Sequence, residues 1–577
     1  MTQAPELPRE DVNEPVPAEQ PLHLPRVLTN LSHGGHVAGD DVNKVDPNRD
    51  PDDSMRWARV RATSTPFGYM FDKLRGVYPA AHLPVEPSAG VVASLKALGT
   101  AMAEQPGDPT GGDSDIPPIY TYWGQFVDHD LTANTDRDED ISITEVPFEP
   151  LRPEKVMRDL RNLRQPRLNL DSVYGHGPAS SGQQDQVPYT GHRLVIGPLT
   201  PASLPGQAVL PGADLPRVDK KAQIGDGRND ENLIVAQLHL GFLKFHNAVL
   251  DWFAANPTSH VTGDGSFERA RQLVEWHYQW ITVHDFLKRI AQPEVVDDLL
   301  NGRIEPRLAL STNTPQDEVF MPLEFSVAAY RFGHSMVRAA YDWNINFGVP
   351  ENGVLRAPSS PFELLFLFTG GGGFADDAPT LPDNWPAQFE RLTGFELRPD
   401  GTDEAVPVRC ARKIDTHLAP PLADLLNEGE GQTSDRIKRI LKRLAVRNLL
   451  RGYRLAIPTG QAVARTLGVE PLSEQELIKD TPPPSPLHDA LVDGGFIEET
   501  PLWFYVLKEA EVLEQGDRLG PVGSRIVAET ILGQLRADPT SFVNQNWDPT
   551  QGVTTGPADT DVVDSIITFL RFAGMHT

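Results

Sequence analysis

Residues 120–132 read YTYWGQFVDHDLT and follow directly on Asp115-Ile116-Pro117-Pro118. Proline is tolerated in the first turn of a helix and not further in, so the pair marks a helix start. In a helix, Gln125, Asp128 and His129 share one face, because they lie three and four residues apart, and Asp130 faces elsewhere. A single histidine on an apolar helix face is ordinarily a core residue with a local partner. Here a carboxylate stands on each side of it, and buried charge demands compensation, so plain core packing is harder to sustain.

Three further stretches carry chemistry. ENLIVAQLHLGFLKFHNAVLDWFAA, from Glu231 to Ala255, has no proline and one glycine and predicts a long buried helix. Ahead of it, GDGRNDEN puts Arg228 and Glu231 three apart at the helix start; an acid in a first turn suits the helix dipole, and Arg228 alone reads equally as surface charge. EFSVAAYRFGHSMVRAAYDW, from Glu324, predicts one helical face through Val327, Tyr330, His334, Val337 and Tyr341. His334 is then a core residue or a metal ligand, and Gly333 beside it admits a flat cofactor or another backbone. A fourth helix, capped by Ser434, runs through DRIKRILKRLAVRNLLRGYRL and ends before Pro458, with Ile437, Leu441 and Leu444 on its apolar stripe. Asn448 falls on that stripe, and a buried amide must find a partner.

Composition bounds the rest. The 577 residues are 39% hydrophobic and 8% aromatic, enough for a sizeable core. A net charge of −28 argues against nucleic acid or an anionic membrane as partner. The single cysteine, Cys410, forms no internal disulfide, so folding does not require an oxidising compartment. MTQAPELPREDVNEPVPAEQPLH lacks the basic start and apolar run of a secretory signal, which leaves the cytoplasm or export by a route other than the general secretory one. The most apolar segment, FELLFLF from Phe362, stops at Gly370 to Gly373, and no membrane span is expected. Residues 1–54, rich in Pro, Asp and Glu, read as an extended or disordered arm. Residues 55–577 read as one large, mainly α domain with little β structure, punctuated by many of the 53 prolines.

WGQFVDHDLT, LDSVYG, GDGRNDEN, YRFGHSM and RNLLRGYRLAIP, spread over about Tyr120 to Pro458, together resemble the animal haem peroxidases of the peroxidase–cyclooxygenase superfamily, in the form found in bacteria. The resemblance implies a helical haem enzyme that reduces hydrogen peroxide, oxidises small donors such as halide, thiocyanate or phenols, and serves the response to oxidative stress. His129 matches the distal histidine, a neutral base that takes a proton from peroxide and returns it to the departing oxygen. Arg228 matches the distal arginine, a fixed cation for the charge that develops as the O–O bond cleaves. His334 matches the proximal ligand to haem iron, and Asn448 the amide that accepts its ring N–H. Gln125 matches the distal glutamine near the halide site. Asp128 and Glu231 match the carboxylates that form ester bonds to haem methyl groups, so covalently held haem b is implied. Asn232 stands where the family's third link, a methionine, would be, so no sulfonium bond is expected. Arg331 and Arg451 are placed to pair with haem propionates.

Asp130 matches a calcium ligand, and the loop QPRLNLDSVYG from Gln165 matches the segment supplying the others. Aligned on Tyr174, Asn169 stands for an aspartate, Asp171 for a serine and Gln165 for a threonine, while Arg167 can offer its carbonyl; the carboxylate count is kept but shifted by two residues. The alternative within the superfamily is a fatty-acid dioxygenase, which carries a radical-forming tyrosine three residues before the proximal histidine. Arg331 occupies that position here and Tyr330 is displaced by one. A haem-binding or adhesion protein without turnover needs an axial ligand but no Arg228 opposite a base.

Overall fold

The computed structural model describes residues 64–576, leaving out chiefly 105–111, 134–147, 179–186, 202–206, 258–265, 308–319, 348–359, 375–377, 398–402, 426–434 and 556–560. Of the N-terminal arm, the described part is a two-residue antiparallel ladder of Leu31–Ser32 with His36–Val37; the rest of that expectation lies outside the described residues. The chain is about 50% helical with 9% strand, so the expected mainly α fold with little β structure is what forms. Strands are short throughout. Among the described residues the largest sheet has three, with Thr65–Gly68 between antiparallel Arg161–Asn162 and parallel Met321–Pro322.

Seven helices position the site: α1 (Ser88–Ala101), α2 (Ile119–Leu131), α3 (Leu233–Ala255), α4 (Phe267–Ile281), α5 (Leu444–Arg454), α6 (Leu502–Leu513) and α7 (Pro521–Ala537). Helix α2 begins directly after Pro118, as the proline pair predicts. Ile119, Tyr122, Trp123, Phe126 and Val127 recur at helical spacing and are all buried, and Phe126 stacks on Phe242 of α3 with ring centroids 4.5 Å apart. Tyr278 of α4 and Phe569 close the same aromatic cluster around Trp123. Side chains of this size bury about 150–250 Å² each, so the cluster fixes α2 against α3 and α4.

Helix α3 starts at Leu233, two residues later than expected, because Asn232 caps it: its Oδ1 accepts from Val235 N at 3.1 Å. Glu231 lies outside it, at the end of a 3-10 turn, Gly227–Asp230. Helix α3 is long and apolar enough to cross a membrane, with mean hydropathy 1.3, yet 78% of that stretch is buried inside the fold, as a core helix would be.

Two expected helices are broken. The fourth runs as Asp435–Lys442 and then α5, parted at Arg443, whose extended ψ of 95° interrupts the hydrogen-bond ladder; Ser434, its expected cap, lies outside the described residues. The expected 324–341 helix is a π turn, Glu324–Ala328, then a 3-10 turn, Ala329–His334, and Tyr341 belongs to a strand, Ala340–Tyr341. The shared face through Val337 and Tyr341 therefore does not exist. Carbonyls freed by the irregular turns take other donors: Ser326 O accepts from Arg331 Nε at 2.8 Å, and Arg331 O from Trp503 Nε1 of α6 at 3.1 Å. Buried Glu324 accepts from Met70 N and Phe71 N, which pins the start of the segment.

Candidate active site

The segment GDGRND makes the tightest part of the site. Gly225 must be glycine because a Cβ there would lie 2.6 Å from the carbonyl oxygens of both Asp171 and Ser172. That close approach delivers Asp226, whose carboxylate pairs with the buried guanidiniums of Arg164 and Arg228. Against the cost of burial, Arg228 and Arg164 hold Asp226 well below the usual carboxylate range. Arg228, 2% exposed, is fixed by this carboxylate and by the His129 carbonyl, to which Nη2 donates at 2.8 Å. Its Nη1 is buried with no hydrogen-bond acceptor.

On α2, the face expected to hold Gln125, Asp128 and His129 does so. His129 is buried, and its Nδ1 lies 2.8 Å from Asn229 Oδ1. Burial first, then the Arg228 cation, pull its pKa down to about 4, against opposing pulls from Asp226, Asp128 and Glu231. His129 is therefore a neutral base at neutral pH. Asp128 accepts from Thr132 Oγ1 at 2.8 Å and from Arg331 Nη1 at 3.2 Å, which ties α2 to the segment bearing His334. Gln125 Nε2 donates to Glu231 Oε2 at 3.1 Å, and Gln125 Oε1 accepts from Asn232 Nδ2 at 3.2 Å. Glu231 and α2 thus meet through one amide.

His334 ends the 3-10 turn, with its Nδ1 2.9 Å from the Asn448 amide on α5. The buried amide of Asn448 thus finds its partner in this histidine, but it is Nδ2, the donor end, that faces the ring, where the resemblance implies the accepting Oδ1. A Cβ at Gly333, or at Gly452 one turn past Asn448, would meet no atom within 4 Å, so both positions border open space beside the pair. Arg451 is buried on the same helix. Arg331, expected at a propionate, is engaged by Asp128 and Ser326 O, and a propionate would share it with them. A partly open cleft lined by Val327, Ala328, Asn448, Gly452 and Trp503 among others reaches the site through Asn448; neither His129 nor Arg228 lines it.

The loop expected to hold calcium lies against α2. Leu168 and Leu170 take left-handed backbone, φ 53° and 56°, in a region that non-glycine residues adopt at a cost. Asp130 accepts from Leu170 N and Ser172 Oγ at 3.3 Å each, and burial and then Asp171 push its pKa up to about 8. Asn169 Oδ1 and Asp171 Oδ1 are buried without hydrogen bonds, and the Arg167 carbonyl accepts from Gln279 Nε2 at 3.3 Å. Among the described residues no group of three or more His, Cys, Asp or Glu is placed to hold a metal, so any cation here would depend on amide, hydroxyl and carbonyl oxygens as well.

Sequence reasoning missed Asp226, Asn229, Arg164 and His239. The first two stand inside the quoted GDGRND, but nothing local says which neighbours an acid or amide meets across space.

Residues 153–347 match the family model for animal haem peroxidases, a span that includes Arg228 and His334 but neither His129 nor Asn448. A peroxidase-like protein of Margaritifera margaritifera is 26% identical over 335 residues, which are 50% of this chain and 38% of that protein. Human thyroid peroxidase is 31% identical over 113 residues, 20% of this chain and 11% of that one, so the chain spans well under half the length of these curated relatives. Among solved structures, peroxidase A from Dictyostelium discoideum superposes with TM-score 0.56 at 16% identity, over 89% of this chain and 94% of its own. A fatty acid alpha-dioxygenase from Arabidopsis thaliana does so with TM-score 0.52 at 16% identity, over 89% and 77%. At that identity the likeness is one of fold.

Proposed function

Because the chain belongs to the peroxidase–cyclooxygenase superfamily, we propose that it is a haem peroxidase that reduces hydrogen peroxide to water while oxidising small donors such as halide, thiocyanate or phenols. The observation that carries this reading is the pairing of a neutral buried base, His129, with a guanidinium whose Nη1 has no acceptor. An orphaned donor on a cation costs free energy unless something anionic or polar meets it in use.

The donor set fits haem. His334 would ligate iron through Nε2 with its proton on Nδ1, which requires the Asn448 amide to turn over so that Oδ1 replaces the Nδ2 now facing that nitrogen, and no atom crowds Gly333 or Gly452 beside the pair. Bound there, haem would supply the two-electron redox chemistry of the reaction. His129 takes the proton of hydrogen peroxide and hands it to the oxygen that leaves as water. Arg228 stabilises charge developing on that oxygen, and Asp226 and the His129 carbonyl keep its guanidinium from swinging away. Gln125 holds Glu231 and the start of α3 at the edge of the site.

Asp128 and Glu231 are the groups for ester bonds to haem, and Arg331 and Gln125 orient them. Acid–acetone extraction of peroxide-treated protein is expected to leave haem on the chain, and to release it from the doubly substituted Asp128→Asn, Glu231→Gln protein; full release from the unaltered protein removes this part. Calcium is the cation for Asp130, Asp171, Asn169 and the Arg167 carbonyl; of these, Asn169 Oδ1 and Asp171 Oδ1 are buried without hydrogen bonds, although Arg164 Nη1 lies 3.8 Å from the latter. Metal analysis of dialysed protein is expected to find it, and finding none counts against it.

Arg331 three residues before His334, and Tyr330 Oη donating to the Gly124 carbonyl at 3.2 Å, favour peroxidase over dioxygenase. Peroxide-dependent oxidation of a chromogenic donor by haem-supplied protein tests the proposal against Arg228→Ala. Equal rates favour a binding protein, and oxygen uptake on a fatty acid without donor oxidation favours the dioxygenase.

A further inference from the structure

Asn229 sits on the 3-10 turn next to Arg228 and is 0% exposed. Its side chain touches two histidines from different helices: Oδ1 lies 2.8 Å from His129 Nδ1 of α2, and Nδ2 lies 3.0 Å from His239 Nδ1 of α3. His239 is 0% exposed, and its other nitrogen, Nε2, has no hydrogen-bond partner. A core histidine with one nitrogen tied to a site residue and the other left bare asks for a reason.

We propose that Asn229 and His239 form a positioning relay that fixes which nitrogen of His129 carries the proton. An amide accepts at one end and donates at the other, so its two histidine contacts must have opposite sense. With Oδ1 on the α2 side, His129 bears its proton on Nδ1 and presents the Nε2 lone pair. His239 then accepts at Nδ1 and keeps its proton on Nε2. Turning the amide over reverses both rings together and leaves His129 with Nε2–H, which cannot act as a base. Both rings are buried, which disfavours their charged forms, so their tautomers and not their charges are at stake. The orphaned Nε2–H of His239 is the cost of holding the amide one way round.

The consequence for catalysis rests on the peroxidase reading; the tautomer itself does not. Two readouts separate them. In ¹⁵N-histidine-labelled full-length chain without haem, the His129 signals, identified by their loss in His129→Gln among the 16 histidines, should report a protonated Nδ1 and an unprotonated Nε2. Asn229→Ala should give mixed tautomers, as should His239→Phe, which removes the amide's acceptor. Asn229→Asp, which keeps an acceptor facing His129, should restore Nδ1–H. In haem-loaded protein, hydrogen cyanide must surrender its proton to the distal base on binding, so its association rate should fall about 10–100-fold in Asn229→Ala, with haem content unchanged, the range typical of removing an orienting partner. An unchanged His129 tautomer in Asn229→Ala overturns the relay, even if cyanide binding slows, because the loss is then merely structural. If the tautomer mixes but cyanide association is unchanged in protein that consumes peroxide, the relay has no part in proton uptake and the proposal fails there. A chain that takes up no haem but shows the tautomer shift keeps the relay and loses the peroxidase.

Discussion

The Arg228 guanidinium makes its hydrogen bonds through Nε and Nη2, to Asp226 and to the His129 carbonyl, and among the described residues Nη1 meets no acceptor. A lysine cannot reproduce it, because one ammonium on a flexible stem cannot hold Asp226 and meet a substrate together. Arg228→Lys should therefore retain haem and lose about 10²–10³ in the rate of reaction with peroxide, measured by stopped flow. His129 has the complementary pH signature. With its pKa lowered to about 4, it stays an unprotonated base across the neutral range, and the peroxide rate should be flat there and fall only as pH drops through about 4. A decline centred near 6.5 would contradict the burial of this ring. His129, Arg228, His334 and Asn448 were legible in the sequence because each stands in a spaced motif. Asn229 and His239 were not, since their meaning is a three-body contact, and an asparagine in a turn or a histidine in an apolar helix looks the same with or without it.

At the level of elements, α2 was legible where a proline pair meets apolar spacing, and α3 was legible as a helix but expected from Glu231, two residues before the start that the Asn232 cap sets. The 324–341 segment was not, because its apolar residues fit a 3.6-residue period, and its departure from one is set by distant groups: Glu324 bonded to Met70 and Phe71, and Trp503 to the Arg331 carbonyl. Trp503→Phe leaves that buried carbonyl without its indole donor and should cost about 1–3 kcal/mol, read from the urea midpoint, with a displaced Soret band because the turn carrying His334 relaxes. Asn232→Ala should cost about 1 kcal/mol through loss of the α3 cap, and should leave the Soret band in place.

Over the whole molecule, two sets of buried groups set the pH dependence of stability. His129, His239, His246, His277 and His284 have pKa values lowered from 6.5 to about 4, 3, 4, 4 and 4, chiefly by burial, so the unfolded chain binds more protons than the native one and stability falls as pH drops below 6.5. Asp415 and Glu509 are raised by burial to about 8, so their contribution is full below the unfolded values of 3.8 and 4.5 and is lost as pH rises through 8. The sets oppose one another below 6.5, and above it only the carboxylates act. The urea midpoint should accordingly decline from pH 6.5 to 8.5; a rise over that interval would contradict the burial of these carboxyls. None of this was visible in the net charge of −28, which counts ionised groups without knowing which ones folding hides.

The central proposal is that His334 holds haem iron while His129 and Arg228 serve peroxide, and its most direct test is the absorption spectrum of haem-supplied protein before and after peroxide. The expected result is a Soret band that shifts on adding peroxide in the unaltered protein, is present but slow to shift in Arg228→Ala, and is lost or displaced in His334→Ala. A protein with no Soret band, or one whose band is the same in His334→Ala, would contradict it.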